Sequence, residues 1–238
     1  MSLLSVLTIC FMAGFAMPVG AFLARIEKIQ PDWLENEFRH SVISFGGGAL
    51  LSAVALVLVP DGIEKLDVSA SLVCFFLGAI GVLVLDIFLS KRESDAGQLV
   101  AMLTDFVPES IALGAAFSVG SSSGGVLALM IALQNLPEGF NAYRELRSGT
   151  QIQPRVALAS FVGMAFLGPL AGLVGYFILS EQPQALAAIE MGAAGAILYL
   201  VFKDIAPKAN LEKSWAPPFG AVVGFALGLT GHILAHGG

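Results

Sequence analysis

Leu127-Ala128-Leu129-Met130-Ile131-Ala132-Leu133 carries no charged or hydrogen-bonding side chain, and it runs straight into Gln134-Asn135-Leu136-Pro137-Glu138-Gly139. The apolar half predicts a helix buried in hydrocarbon. The polar half breaks that rule at about the middle of the same helix. A second stretch, Asp105-Phe106-Val107-Pro108-Glu109-Ser110, breaks it in the same way. Each has a polar residue first, then Pro-Glu-small, with the Glu four positions after the polar residue. Residues i and i+4 share a helix face, so Asp105 lines up with Glu109, and Gln134 with Glu138.

Outward from these motifs, apolar runs of about 20 residues recur along the whole chain, each long enough to cross a hydrocarbon core of about 30 Å. The 238 residues are 56% hydrophobic and only 13% charged, where a soluble domain has about a quarter charged. The expected class is therefore an all-α membrane protein forming one transmembrane domain over residues 1–238. Eight spans are expected, near 2–24, 40–62, 70–90, 98–119, 123–146, 155–180, 184–205 and 215–236. The first has no positive flank before it, so it reads as a retained span, not a signal peptide. The acidic net charge of −6 gives no sign of nucleic-acid binding. Cys10 and Cys74 both lie in apolar runs and lack the spacing of known Cys motifs.

Basic residues concentrate in the loops after spans 1, 3, 5 and 7. There Arg25, Lys28, Arg39, Lys91, Arg92, Arg144, Arg147, Arg155, Lys203, Lys208 and Lys213 account for eleven of the twelve Lys and Arg, leaving Lys65 on the other side. By the positive-inside rule these four loops face the cytoplasm and both termini lie outside, which fits the plasma (cell inner) membrane. A repeat also shows. Gly48-Ala49-Leu50-Leu51 is followed twelve residues after Gly48 by Pro60, and Gly195-Ala196-Ile197-Leu198 twelve residues after Gly195 by Pro207. The first copy runs outward in span 2 and the second inward in span 7, the mark of an inverted repeat around a central helix pair.

A carboxylate at the bilayer centre costs at least ~2.5 kcal/mol on insertion scales. Asp105, Glu109 and Glu138 would also repel one another, and no Lys or Arg lies in either motif. Bound cations or protons resolve both problems, and a cation site is the natural resolution; the bland alternative is protonated, hydrogen-bonded acids that hold the helix bundle together. Pro108 and Pro137 have no N–H to give the carbonyls of Thr104 and Leu133, so each helix is expected to break there and offer a freed carbonyl beside two side-chain oxygens.

With these motifs in view, the chain resembles the ZIP family of divalent metal transporters. Gln134 through Gly139 match the family's fifth-helix pattern (His/Gln-Asn/Asp-x-Pro-Glu-Gly) almost fully, while Asp105 through Ser110 match the fourth-helix pattern (His-Asn-x-Pro-Glu-Gly) only at Pro108 and Glu109. Gly46 to Asp61, Gly168-Pro169-Leu170-Ala171-Gly172 and Gly192 to Pro207 are similar to the family outside the motifs. The resemblance implies uptake of zinc, manganese or iron toward the cytoplasm, without an organic cofactor or enzymatic activity. It implies spans 1–3 and 6–8 as inverted repeats around spans 4 and 5, often as a homodimer. Carried over, Asp105, Glu109, Gln134 and Glu138 hold a first metal, and Asn135 joins Glu109 and Glu138 at a second.

Two departures bear on that carry-over. Phe106 stands where the family has a ligating Asn, and Gly168 where many relatives have a Glu in span 6. The second position has lost two ligands, so one ion is expected. Asp105 replaces the usual His, leaving an all-oxygen site, and oxygen donors suit harder cations such as Mn²⁺ while zinc also accepts carboxylates. The reading from another functional class is a metal-binding sensor or a transport-inactive relative. A hydrolase built on Gly120-Ser121-Ser122-Ser123-Gly124 lacks any dyad spacing.

Other polar residues have ordinary interfacial readings. They are His40; the i, i+4 pair His232 and His236; Asp61, Glu64 and Glu190 at the outer ends of spans 2 and 7; Asp86; and Lys203 with Asp204 as an exit-side pair.

Overall fold

The computed structural model describes residues 2–26, 37–90, 97–118, 123–149, 151–179, 181–209 and 214–236. Lys28, Pro31, Lys91, Arg92, Lys213 and residues 120–122 lie outside these residues. So do the side chains of Asp105, Lys208 and His236.

All regular structure among the described residues is helical. In chain order the helices are α1 (Leu3–Ile26), α2 (Arg39–Lys65), α3 (Val68–Ser90), α4 (Gly97–Ser118), α5 (Ser123–Gly149), α6 (Pro154–Leu179), α7 (Pro183–Ile205) and α8 (Ala216–His236). Six of them, α1–α3 and α6–α8, are long and apolar enough to cross a membrane. In α4 the apolar stretch shortens to Phe106–Ser118, and in α5 the apolar run ends at its polar motif.

The helices pack as pairs. α1 lies mainly on α5, α2 on α8, α3 on α7, and α4 on α6. Direction follows from who meets whom. Ala13 and Met17 of α1 meet Asn135 and Gly139 of α5, so those two run parallel. Ser41, Phe45 and Ser52 of α2 meet Gly220, Gly224 and Gly228 of α8, another parallel pair. α4 and α5 are antiparallel, since Glu109 meets Gln134 and Phe117 meets Gly124. Alternation along the chain therefore gathers Arg25, Arg39, Arg144, Arg147, Arg155 and Lys203 at one end of the bundle, with Lys65 at the other.

The two sequence repeats fold alike. Gly48 sits so close to the Ala221 carbonyl of α8 that a Cβ would overlap it, and Gly195 sits the same way on the Phe75 carbonyl of α3. Small residues let membrane helices approach this closely, where dispersion replaces the hydrophobic effect as the attraction. Six residues after each glycine the helix widens into a π turn, Val54–Leu58 in α2 and Val201–Ile205 in α7. Each turn closes with an i→i−5 bond, Val59 N–H to Val54 O and Ala206 N–H to Val201 O, just before Pro60 and Pro207. A proline ring clashes with the carbonyl four residues back, and the wider turn moves that carbonyl aside.

At the basic end a polar tie joins α3 to α7. Tyr199 donates its hydroxyl to Asp86 Oδ2 at 3.1 Å, and Lys203 pairs with the same carboxylate at 3.3 Å. The sequence reading set Lys203 beside Asp204; the structure joins it to Asp86 on the neighbouring helix.

Candidate metal site

The site is built by the α4–α5 pair. Gln134 Nε2 donates to Glu109 Oε2 across the two helices, and both side chains are fully buried. The amide nitrogen, not the oxygen, faces the carboxylate because only that orientation supplies a proton. Antiparallel helices climb at equal rise, so one turn toward the basic end Asp105 on α4 comes level with Glu138 on α5. Asn135, also buried, turns toward α1, where its Nδ2 donates to Ala13 O at 3.0 Å.

What remains unsatisfied is nearly all acceptor. Glu109 Oε1, Gln134 Oε1, Asn135 Oδ1 and Glu138 Oε2 are buried, and none has a hydrogen-bond partner among the described residues. A buried acceptor left unpaired costs about 1–3 kcal/mol, more when it is charged. Among the described residues, no donor from a neighbouring helix comes to any of these four atoms. A bound cation satisfies several such acceptors at once; bound water does so by donating, and protonation makes either acid a donor itself. Among the described residues no three His, Cys, Asp or Glu side chains converge; the side chain of Asp105, the third acid of the motifs, lies outside them.

Sequence reading missed two further polar atoms. Asn141 Oδ1 and Ser110 Oγ are buried and likewise without a partner among the described residues. Asn141 lies three residues after Glu138 and seven after Gln134, and so on the same face of α5, one turn closer to the basic end. Counting that spacing was enough to find it. Ser110 follows Glu109 directly, and a lone serine in an apolar helix is a signal too weak to read alone.

One expectation needs correction. Spans 4 and 5 are not broken at their prolines: α4 passes through Pro108 and α5 through Pro137 as continuous helix. Each proline removes one backbone hydrogen bond without ending the helix, because close neighbours hold the backbone in place. Pro137, for instance, packs on Gly46 of α2, where an added Cβ would lie 3.0 Å from its Cγ. Asn135 gives its amide nitrogen to α1, which leaves its oxygen, the atom an amide offers a cation, without a hydrogen-bond partner among the described residues.

Phe106 is fully buried. Its ring tip lies in a slot between α1 and α6, where an ideal Cβ on Gly14 would come 2.5 Å from Phe106 Cζ and one on Gly168 2.7 Å. The two departures noted in the sequence thus meet at one place. The residues weighed as interfacial lie apart from this pair of helices: Asp86 joins Tyr199 and Lys203 on α7, and Glu190, buried in α7, faces Asp61 and Lys65 of α2. Neither the family models nor the curated proteins compared with this chain yield a match.

Proposed function

We propose that this chain is a multi-pass membrane transporter that carries a divalent transition-metal cation, zinc, manganese or iron, between α4 and α5. In this reading all eight helices cross the bilayer, the arginine-rich end faces the cytoplasm, both termini lie outside, and the ion moves inward across the plasma membrane. The observation that carries it is the set of unpaired buried acceptors on Glu109, Gln134, Asn135 and Glu138, with no cationic side chain in either motif. Asp105 completes the proposed ligand set by its register opposite Glu138.

The pairing of helices supports an inverted repeat. Exchanging α1 with α6, α2 with α7, α3 with α8 and α4 with α5 turns the α1–α5 pair into α6–α4 and the α2–α8 pair into α7–α3. The matched π turns obey the same exchange. Two halves related in this way are the usual basis of alternating access, as the resemblance to ZIP transporters also implies. A homodimer is the assembly that resemblance suggests.

Metal flux into proteoliposomes, read with zinc, manganese and ferrous iron in turn, tests the proposal. Uptake that disappears in Glu109→Gln and Glu138→Gln supports it. Tight binding with no flux in either direction overturns it in favour of a metal sensor, the reading that the filled Phe106 slot favours.

A further inference from the structure

A cavity of about 700 Å³ opens between α1, α2, α5 and α8. Its wall is almost wholly carbon, with Phe38, Phe45, Phe140 and Phe219 contributing four rings and Ser41 the one hydroxyl. The volume falls in the range of small-molecule sites, about 300–1,000 Å³. Water is a poor occupant, since a stable buried water needs two to four polar partners and this wall provides almost none.

Its position narrows the choice. The wall uses the last turns of α1 (Gly20, Leu23) and the first turns of α2 and α8, so it lies in the half of the bundle nearest the arginine-bearing end. Leu23, Phe38, Phe219 and Val223 are at once cavity-lining and exposed on the outer surface of the helices, so the cavity opens sideways, onto what surrounds a membrane protein. Trp215, at the start of α8 beside the lining Ala216, is almost fully exposed, as expected of an indole at headgroup level.

Charge completes the description. Arg144 follows Phe140 by one turn on the same face of α5, and its guanidinium carbon sits 6.0 Å from the centre of that ring. Arg39 follows Phe38, and its buried Nε has no hydrogen-bond partner among the described residues. Arg25 lies two residues after the lining Leu23 in sequence, and Glu37 and Glu145 are the sequence neighbours of Phe38 and Arg144.

We propose that this cavity binds an anionic phospholipid of the leaflet on the arginine-rich side, one acyl chain filling the aromatic slot and the phosphate held at the mouth by Arg144 and Arg39. Arginine suits the task because its planar fork matches phosphate oxygens in pairs. The floor of the slot is Pro137, the residue before Glu138, so the lipid touches the same turn of α5 that carries the candidate ligands. Lipid binding is read without metal and stands independently of the transport proposal.

The experiment titrates the purified full-length chain in detergent with dioleoyl phosphatidylglycerol or dioleoyl phosphatidylcholine, following bound lipid by native mass spectrometry and unfolding by a thermal melt. One phosphatidylglycerol retained per chain, with a higher Tm than phosphatidylcholine gives, is the expected result. Arg144→Gln should cut that headgroup preference by about tenfold, and Val42→Trp, which fills the slot, should remove both lipids. If Val42→Trp fails to give a cooperative melt, Val223→Trp fills the slot from the opposite wall. Equal retention of the two lipids, retention undiminished by the filled slot, or equal stabilisation by inorganic phosphate alone would each overturn the assignment.

Discussion

The ring of Phe106 on α4 ends against Gly168 on α6: a Cβ on that glycine would fall 2.7 Å from the Phe106 Cζ and 2.7 Å from the Cys10 carbonyl oxygen. The bulk of one residue is accommodated by the absence of a side chain on the other. Gly168→Ala is therefore expected to destabilise the protein by about 1–3 kcal/mol, the usual cost of overpacking. Combining it with Phe106→Leu, which shortens the ring, should recover part of the loss, because contacting residues do not act additively. A double-mutant cycle on detergent unfolding curves checks this; additive losses would contradict the contact.

The same slot bears on stoichiometry. One ion per chain is expected, measured by elemental analysis of the dialysed protein. Replacing both residues, Phe106→Asn with Gly168→Glu, removes the ring and restores two oxygen donors, and should raise the ratio to two. A wild-type ratio of two would show that the ring does not exclude a second ion.

Metal affinity should fall with acidity. The ligands proposed here are carboxylates, which bind metal only when deprotonated, so protons compete directly and affinity must decline as pH is lowered. Glu138→Gln should weaken binding by at least about tenfold at neutral pH and flatten the pH profile. Equilibrium competition between zinc and manganese tests the all-oxygen character of the site. A strong zinc preference that vanishes in Asp105→Ala would count against it.

Asn141 offers a separate test. Its unpaired amide oxygen, one turn from Glu138 toward the basic end, places an acceptor on the proposed path of the ion. Asn141→Leu should slow metal flux several-fold while leaving the Tm no lower, since it removes a buried acceptor that lacked a partner. A drop in stability with unchanged flux would make Asn141 a structural residue.

Asp67 gives a pH signature outside the membrane. Its Oδ1 accepts the Ala70 N–H at 2.8 Å and so caps the first turn of α3. This backbone bond, with Ser69 assisting, holds its carboxyl below the usual carboxylate range. A depressed native value means the contribution is present above the unfolded value of about 3.9 and is lost as pH falls through the native one. Asp67→Ala should lower the Tm at pH 7 and make little difference at pH 2; an equal loss at both would rule out the charged cap.

Much of this arrangement was readable from the chain. The alternation of basic loops placed the arginines at one end because successive helices run in opposite directions. The expected span 2, 40–62, and the observed α2, Arg39–Lys65, differ mainly at fraying ends. Gly48 and Gly195 stood out by their equal distance from a proline, and their close helix contacts follow from having no side chain. The π turns were not legible, since widening a helix before Pro60 and Pro207 leaves no mark in composition. Nor was the continuity of α4 and α5: the proline effect is local, and whether a helix survives it depends on neighbours such as Gly46 that only the fold brings near. Phe106 and Gly168 each stood out singly, sixty-two positions apart in sequence. That they touch is a tertiary fact.

Under the proposed transport function, the bond between Gln134 and Glu109 bears on how fast an ion would leave. A carboxylate kept waiting with no partner would grip its first visitor almost irreversibly, and a carrier must let go. Here an amide already occupies one oxygen of the acid, so an arriving ion gains only what the resident does not already provide, and on departure the vacated oxygen is taken up again at once. The exchange moderates the grip from both directions, favouring turnover over storage.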